Sequence, residues 1–141
     1  MQDILLFIQH HALLSATFVI VLIALIFLEL IRAKRGTLQI TPQQAILLIN
    51  HENAVVVDVR SLDTFFAGHI LGAVSLPLAE LETRLNKLEK FKSNPIVITC
   101  ATGLESPAAA ASLLKHGFKV RVLSGGIRGW KEADMPLVKG N

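Results

Sequence analysis

The feature that most constrains this chain is a long apolar run near its amino terminus. Between Asp3 and Glu29 no side chain carries a fixed charge, and residues 12–28 read ALLSATFVIVLIALIFL. A helix that extends this run to Ile31 is about 30 Å long, which matches the hydrocarbon core of a membrane. No basic residue precedes the run and no small-residue cleavage site follows it, in contrast with a secretory signal peptide. The run therefore predicts an uncleaved transmembrane anchor.

Basic residues flank only the carboxyl end of this run, where Arg32, Lys34 and Arg35 follow at once. The positive-inside rule therefore predicts a single-pass protein with its amino terminus outside and its remainder in the cytoplasm. We assign residues 1–35 to the anchor with its basic flank and residues 36–141 to one folded domain. This domain holds 14 − 3 = 11 basic and 11 − 2 = 9 acidic residues, and such near neutrality predicts no strong polybasic binding to lipids.

Composition excludes several classes of protein. A single cysteine cannot form an internal disulfide, and it cannot build a cysteine-rich zinc site or an iron–sulfur cluster. The domain has no basic stripe, and only 6% of all residues in the chain are aromatic, so we expect no nucleic-acid partner.

Strands and helices alternate along the domain. After a short linker at Gly36–Ile40, the sequence Thr41-Pro42-Gln43-Gln44 predicts a helix that begins with a capping box. Leucines at helical spacing indicate one buried face over residues 78–88. Ser106 as the N-cap and Pro107 as the first helical residue predict the start of a helix that Gly117 ends. Four segments predict strands: 54–59, 73–76, 96–99 and 120–123. This alternation is typical of a parallel α/β sheet.

Cys100 follows one of these predicted strands and precedes a predicted helix. Ligands of open parallel sheets bind beyond the carboxyl ends of the strands. A tight loop with Gly103, on the way into a helix, can direct several N–H groups toward an anion such as a thiolate or a persulfide. Position alone leaves two interpretations open, a reactive thiol or a small buried apolar side chain.

Four motifs in order resolve this choice. They are Asp58-Val59-Arg60, Gly68-His69-Ile70-Leu71-Gly72-Ala73, Cys100-Ala101-Thr102-Gly103-Leu104-Glu105-Ser106 and Gly125-Gly126-Ile127-Arg128-Gly129-Trp130. Together they resemble the rhodanese domain family over roughly residues 38–138. With the anchor, the chain is similar to the small membrane-tethered rhodaneses of the inner membrane of Gram-negative bacteria.

The resemblance implies a parallel sheet of about five strands flanked by helices, and transfer of sulfane sulfur through a cysteine persulfide. It assigns the nucleophile to Cys100 and a substrate-binding cradle to Ala101, Thr102, Gly103, Leu104, Glu105 and Ser106. It gives Asp58, Arg60 and His69 a supporting role, with Gly125-Gly126 as permissive backbone and Trp130 as core. It implies no cofactor and no metal. The implied partners are a small-molecule or protein sulfur donor, a thiol acceptor, the lipid bilayer and a membrane protein.

Glu105 departs from the family pattern, which has an arginine at this position. At about 6 Å and an effective dielectric constant near 20, its carboxylate would oppose a thiolate by roughly 2 to 3 kcal/mol. That repulsion predicts a raised Cys100 pKa and disfavours anionic donors such as thiosulfate. The loop length disfavours a cysteine phosphatase, because the pattern C-x5-R requires an arginine where Ser106 stands. Two functions remain open: a sulfurtransferase, or a non-catalytic module that binds a protein partner at the membrane.

Overall fold

The computed structural model describes residues 6–7, 10–36 and 38–140, and its contacts divide the chain into two compact units, Met1–Thr37 and Leu38–Asn141. The amino-terminal flank with Asp3, and Thr37 of the predicted linker, lie outside the described residues.

The first unit contains one long helix, α1 (Ala12–Gly36). Within Ala12–Arg32, a stretch of 18 residues has a mean hydropathy of 2.8, and its apolar side chains are exposed rather than packed against protein. This segment of 21 residues is long and apolar enough to cross a membrane. The predicted apolar helix is therefore present, with the length that the sequence indicates.

The second unit is built on a five-stranded parallel sheet, which confirms the expected fold class. Its strands are β1 (Gln39–Ile40), β2 (Val55–Asp58), β3 (Val74–Ser75), β4 (Pro95–Thr99) and β5 (Lys119–Leu123), in the order β1-β5-β4-β2-β3. The central strands β2 and β4 are rich in valine and isoleucine because helices cover both faces of the sheet. Their parallel direction brings the carboxyl ends of all the strands to one edge.

Helices connect the strands and enclose a core on each face of the sheet. They are α2 (Pro42–Glu52), α3 (Leu62–Ala67), α4 (Ser106–Lys115) and α5 (Gly126–Glu132). The predicted capping box of α2 is confirmed: Thr41 Oγ1 accepts from Gln44 N at 3.2 Å, and Gln44 Oε1 accepts from Thr41 N at 2.9 Å. Trp130 is buried in the core on one face, as expected.

Three local predictions were wrong. The predicted linker contains β1, a strand of only two residues that is specified by its pairing with β5 rather than by a hydrophobic run. The leucine face at 78–88 is carried by two short 3₁₀ helices, Leu78–Glu80 and Leu85–Lys87, and by Leu81 and Leu88, which follow them directly; a third 3₁₀ helix, Glu89–Phe91, comes next. Since residues i and i+3 also share a face in a 3₁₀ helix, the spacing identified buried leucines but not the helix type. Finally, α4 begins at Ser106, with Glu105 rather than Ser106 in the capping position.

Candidate active site

Cys100 lies at the carboxyl edge of the sheet, directly after β4. The loop of residues 101–105 leads from it into the first turn of α4. The residue is only 1% exposed, so its sulfur lies at the bottom of this loop rather than on the surface. The loop turns sharply because Gly103 has a φ of 90°, in the left-handed region that favours glycine.

Hydrogen-bond donors surround the sulfur of Cys100. The backbone N–H of Gly103 donates to Cys100 Sγ with a nitrogen–sulfur distance of 3.0 Å. The N–H groups of Glu105 and Ser106, at the start of α4, also stabilise negative charge on the sulfur. Such a set of converging N–H groups at a helix amino terminus favours an anion.

The hydroxyl of Ser106 is the one side-chain donor in this set. Ser106 is fully buried, and in the part of the chain that the structure describes its Oγ has no partner of normal hydrogen-bond geometry. It nevertheless lies close enough to Sγ to favour the thiolate. A buried hydroxyl without a hydrogen-bond partner costs free energy, and a hydrogen bond to a charged acceptor is stronger than one to a neutral acceptor. The Ser106 hydroxyl therefore favours the thiolate of Cys100 over the thiol.

These contacts determine the pKa of Cys100. Burial raises the pKa of the thiol, because a thiolate is poorly solvated inside a protein. The nearby Ser106 hydroxyl and the N–H groups of Glu105, Ser106 and Gly103 lower the pKa of Cys100, and together they outweigh burial. The pKa of Cys100 therefore lies below the ordinary value for a thiol, which increases the nucleophilic thiolate fraction near neutral pH.

The direction of this pKa shift is opposite to the one expected from Glu105. The carboxylate of Glu105 is exposed to water and makes no capping hydrogen bond, whereas its backbone N–H faces the sulfur. Water screens a carboxylate in this position, so the backbone contribution of the residue exceeds its side-chain repulsion.

The six residues expected to form the cradle thus have different positions. Gly103, Glu105 and Ser106 bring donors to the sulfur, as described above. The side chains of Ala101, Thr102 and Leu104 are exposed, and Leu104, at the tip of the loop, is 85% exposed.

The residues after the turn between β5 and α5 hold Cys100 and the following loop in place through backbone hydrogen bonds. Ile127 N donates to Cys100 O at 2.8 Å, and Arg128 N donates to Ala101 O at 3.0 Å. Gly126 has a φ of 57°, and a β-carbon there would collide with Cys100 O and lie 2.9 Å from Gly103 N. Two properties of glycine, its tolerance of positive φ and its lack of a side chain, are therefore required at Gly126 for the loop to keep its shape.

Asp58 and Arg60 form a buried ion pair at the end of β2. Arg60 Nη2 donates to Asp58 Oδ2 at 2.6 Å and to the carbonyl oxygen of Gly68 at 2.7 Å. The pair thus ties the end of the strand to the turn that precedes His69. It is buried, but Arg60 also reaches the wall of a cleft beside Ala101.

His69 is also buried and is held by its neighbours. Its ring stacks on that of Phe65 with a centroid distance of 3.9 Å, and its Nδ1 lies 2.9 Å from the carbonyl oxygen of Phe65. Its backbone bridges to Val138. These contacts place His69 in the packing around the site and give it no contact with the sulfur.

A cleft beside the loop brings together charged side chains that the sequence did not single out. Arg128 Nε donates to Glu132 Oε1 at 3.0 Å, and Lys131 is exposed next to this pair. The sequence signal that could have identified this pair is the four-residue spacing of Arg128 and Glu132 in the helix that begins at Gly126. The cleft is lined by Arg60, Ala101, Ile127, Arg128, Lys131 and Glu132.

Comparisons with known proteins agree with this geometry. A rhodanese-like domain model matches residues 41–133. Over 142 aligned positions the chain is 36% identical to the uncharacterized protein YibN of Escherichia coli (strain K12), with 99% of each chain covered. It is 34% identical to the thiosulfate sulfurtransferase GlpE of Pseudoalteromonas translucida, over 64% of this chain and 85% of GlpE.

The fold matches solved structures as well. A rhodanese-related protein from Thermoplasma volcanium superimposes with a TM-score of 0.66 at 27% sequence identity, and the match covers 72% of this chain and 98% of that protein.

Proposed function

Because this chain belongs to the family of rhodanese-like domains, we propose that it is a membrane-anchored sulfurtransferase that carries sulfane sulfur on Cys100. The sulfur would come from a small-molecule or protein donor and would pass to a thiol acceptor. The observation that carries this proposal is the set of N–H and O–H donors around a cysteine whose pKa is lowered.

The reaction divides into two displacements at sulfur. In the first, the Cys100 thiolate attacks the sulfane sulfur of the donor; a new S–S bond forms, the donor's bond to that sulfur breaks, and the donor leaves with the electron pair. In the second, an acceptor thiolate attacks the outer sulfur of the persulfide, and Cys100 leaves as a thiolate. The sulfur site is anionic before and after each step, so the same donors favour both states.

Within this mechanism four residues act at the sulfur. Cys100 is the nucleophile and the leaving group. Gly103, Glu105 and Ser106 stabilise the negative sulfur through backbone N–H groups, and Ser106 adds its hydroxyl. The relative GlpE is named a thiosulfate sulfurtransferase, which supports thiosulfate as one donor to test.

We also propose that α1 spans the inner membrane of a bacterium once, with the rhodanese-like domain in the cytoplasm. Arg32, Lys34 and Arg35 follow the apolar run, and a reactive thiol is suited to a reducing compartment. A cysteine added after Asn141, in a Cys100→Ser background, should resist a membrane-impermeant thiol reagent in intact spheroplasts and react after permeabilisation. Reaction in intact spheroplasts would reverse the orientation.

Intact-mass measurement of the purified full-length chain tests the sulfur-carrier function. After incubation with thiosulfate, glutathione persulfide or inorganic polysulfide, the mass should rise by one sulfur atom and return after a thiol acceptor is added. Cys100→Ser is the matched control, since no other cysteine is present to take up sulfur.

One alternative has its own structural support. Leu104 is 85% exposed at the tip of the loop, and Glu105 beside it is also exposed. An exposed leucine and an acidic side chain at the mouth of the site favour a rhodanese-like module that binds a membrane protein. A folded chain that gains no sulfur from any of the three donors would contradict the sulfurtransferase and favour this binding function.

A further inference from the structure

The amino-terminal edge of the sheet, opposite Cys100, carries a cluster of exposed lysines. We call this cluster the basic edge and define it by Lys90, Lys92, Lys115 and Lys119. Lys119 is the first residue of β5, and Lys115 is the last residue of α4, which returns the chain to this edge. Because each is exposed, the ammonium groups are available to a partner.

Contacts between the segments show that these lysines share one surface. Lys92 Nζ lies 5.4 Å from the centre of the Phe118 ring. Phe118 stands between Lys115 and Lys119 in the sequence. Lys90 precedes it in the turn that leads into β4, and Asn94 of the same turn donates to the carbonyl oxygen of Asn53 at 3.0 Å. The turns before β2, β4 and β5 therefore meet at the basic edge.

Acidic groups near this surface are fewer. Glu89 lies 3.8 Å from Lys92, and Glu52 is the last residue of α2, which ends just before β2 at the same edge of the sheet. Four lysines thus face two glutamates. At the opposite edge the exposed charges balance: three acids, Asp63, Glu105 and Glu132, stand with three cations, Arg128, Lys131 and Lys139. The near-neutral total of the domain therefore includes a local excess of positive charge at the basic edge.

The chain enters the domain beside β5. Leu38 O accepts from Val122 N at 2.8 Å and Gln39 pairs with Val122, so Leu38 lies opposite the middle of β5, two residues or about 7 Å from Lys119 of the basic edge. Residues 33–37 alone separate Leu38 from Arg32, the last residue of the candidate span. Fully extended, this segment covers no more than roughly 20 Å.

We infer that the basic edge binds the anionic phospholipid headgroups of the bilayer, an inference that rests on the membrane anchoring proposed above. Near an anionic leaflet, each lysine strengthens such binding roughly fivefold, and the effect falls off within a Debye length. Lipid is the occupant that fits, because the short linker holds this surface near headgroups of opposite charge. Binding there leaves the Cys100 loop at the far end of the strands, open to donors and acceptors in solution.

Site-specific quenching in nanodiscs tests this inference. In the full-length Cys100→Ser chain, one fluorescent label is placed at Ser93→Cys, an exposed position beside Lys92, and in a second protein at Leu104→Cys. Discs contain either phosphatidylglycerol or phosphatidylcholine, with a fraction of headgroup nitroxide lipid. In phosphatidylglycerol we expect at least threefold stronger quenching at position 93 than at position 104, and less quenching at position 93 in phosphatidylcholine.

Charge reversal identifies the cause. The variant Lys92→Glu/Lys115→Glu/Lys119→Glu should lose the excess quenching at position 93, whereas Lys131→Glu, which lies at the other edge, should keep it. If the triple variant fails to fold, salt gives the same test, since 1 M salt should remove the excess in the unsubstituted domain. Equal quenching at both positions, or quenching at position 93 that neither phosphatidylcholine nor salt reduces, would overturn the inference.

Alkaline extraction of the discs distinguishes a failure of the proposed transmembrane anchor from a failure of lipid binding by the basic edge. A chain released at high pH would refute the transmembrane anchor, and the two labels would still report whether the basic edge binds added discs at low salt. A chain that stays in the discs without excess quenching at position 93 would refute lipid binding by the basic edge and leave the anchor intact.

Discussion

The two edges of the sheet use different parts of the chain for their chemistry. At the carboxyl edge, backbone N–H groups surround a buried sulfur and Gly126 packs against the loop that carries them, while the charged side chains there are mixed in sign. At the amino edge, the backbone only turns between elements, and exposed lysines give the surface its character. The first edge therefore depends on exact backbone geometry, whereas the second depends on net charge and tolerates change in shape.

The largest expected effect follows from Gly126. Replacement by alanine in Gly126→Ala introduces a β-carbon into Cys100 O and Gly103 N, in addition to the cost of about 1 to 2 kcal/mol for a left-handed residue. We expect a loss of more than about 2 kcal/mol in the free energy of unfolding, measured with urea, and loss of sulfur loading. Gly72→Ala is the control, since Gly72 has a φ of 78° but open space around it. Equal destabilisation by both variants would contradict the steric argument.

A smaller effect is expected from Ser106, which tests the donors without changing the backbone. Ser106→Ala should raise the pKa of Cys100, because the hydroxyl favours the thiolate. The rate of persulfide formation, measured against pH, should reach its plateau at higher pH than in the unsubstituted chain. At pH 7 we expect a loss of about tenfold, which corresponds to about 1.4 kcal/mol. Ser112→Ala on the same helix is the control, and an unchanged pH profile in Ser106→Ala would exclude a role for the hydroxyl.

The lowered pKa of Cys100 also links pH to stability. Between the pKa of the folded state and that of the unfolded state, the unfolded chain holds more protons, so the free energy of unfolding rises with pH in that window. The contribution is lost as the pH falls through the folded-state pKa. Cys100→Ser should remove this rise, whereas Ser106→Ala should narrow the window from its acidic side.

The smallest effect is expected from the exposed carboxylate of Glu105. Glu105→Gln keeps the backbone N–H and removes one negative charge, so loading from thiosulfate should become a few-fold faster while the pKa of Cys100 changes little. Salt should reduce the gain. Lys119→Met is a control for net charge at the other edge and should leave the rate unchanged. A Glu105→Gln rate that is unchanged in a folded protein would show that charge at this position does not limit anionic donors.

Much of the carboxyl edge was predictable from sequence because its residues serve local backbone needs. A strand, a cysteine, a glycine in a tight loop and a proline at a helix start occur together over residues 96–107. The role of Ser106 was not predictable, since a serine before Pro107 usually caps the helix, and only the structure shows that it is buried beside the sulfur.

The amino edge could not be predicted in the same way. Lys92 and Lys119 are 27 positions apart in the sequence, and only the pairing of β4 with β5 brings their segments to one surface. The same holds for β1, whose two residues carry no strand signal of their own and depend on β5 for their hydrogen bonds. A count of charges along the chain cannot detect a cluster of lysines that arises from topology.

The burial of Cys100 also decides which of two sulfur atoms an acceptor can attack. A persulfide has an inner sulfur, Sγ, and an outer one about 2 Å further out. Attack on the outer atom transfers sulfur, whereas attack on Sγ would expel hydrosulfide and leave the acceptor joined to the protein as a mixed disulfide. Since Cys100 is only 1% exposed beneath its loop, an incoming thiol meets the outer atom first. The depth of the cysteine thus provides regioselectivity, and keeps the carrier from being trapped by the molecules it supplies.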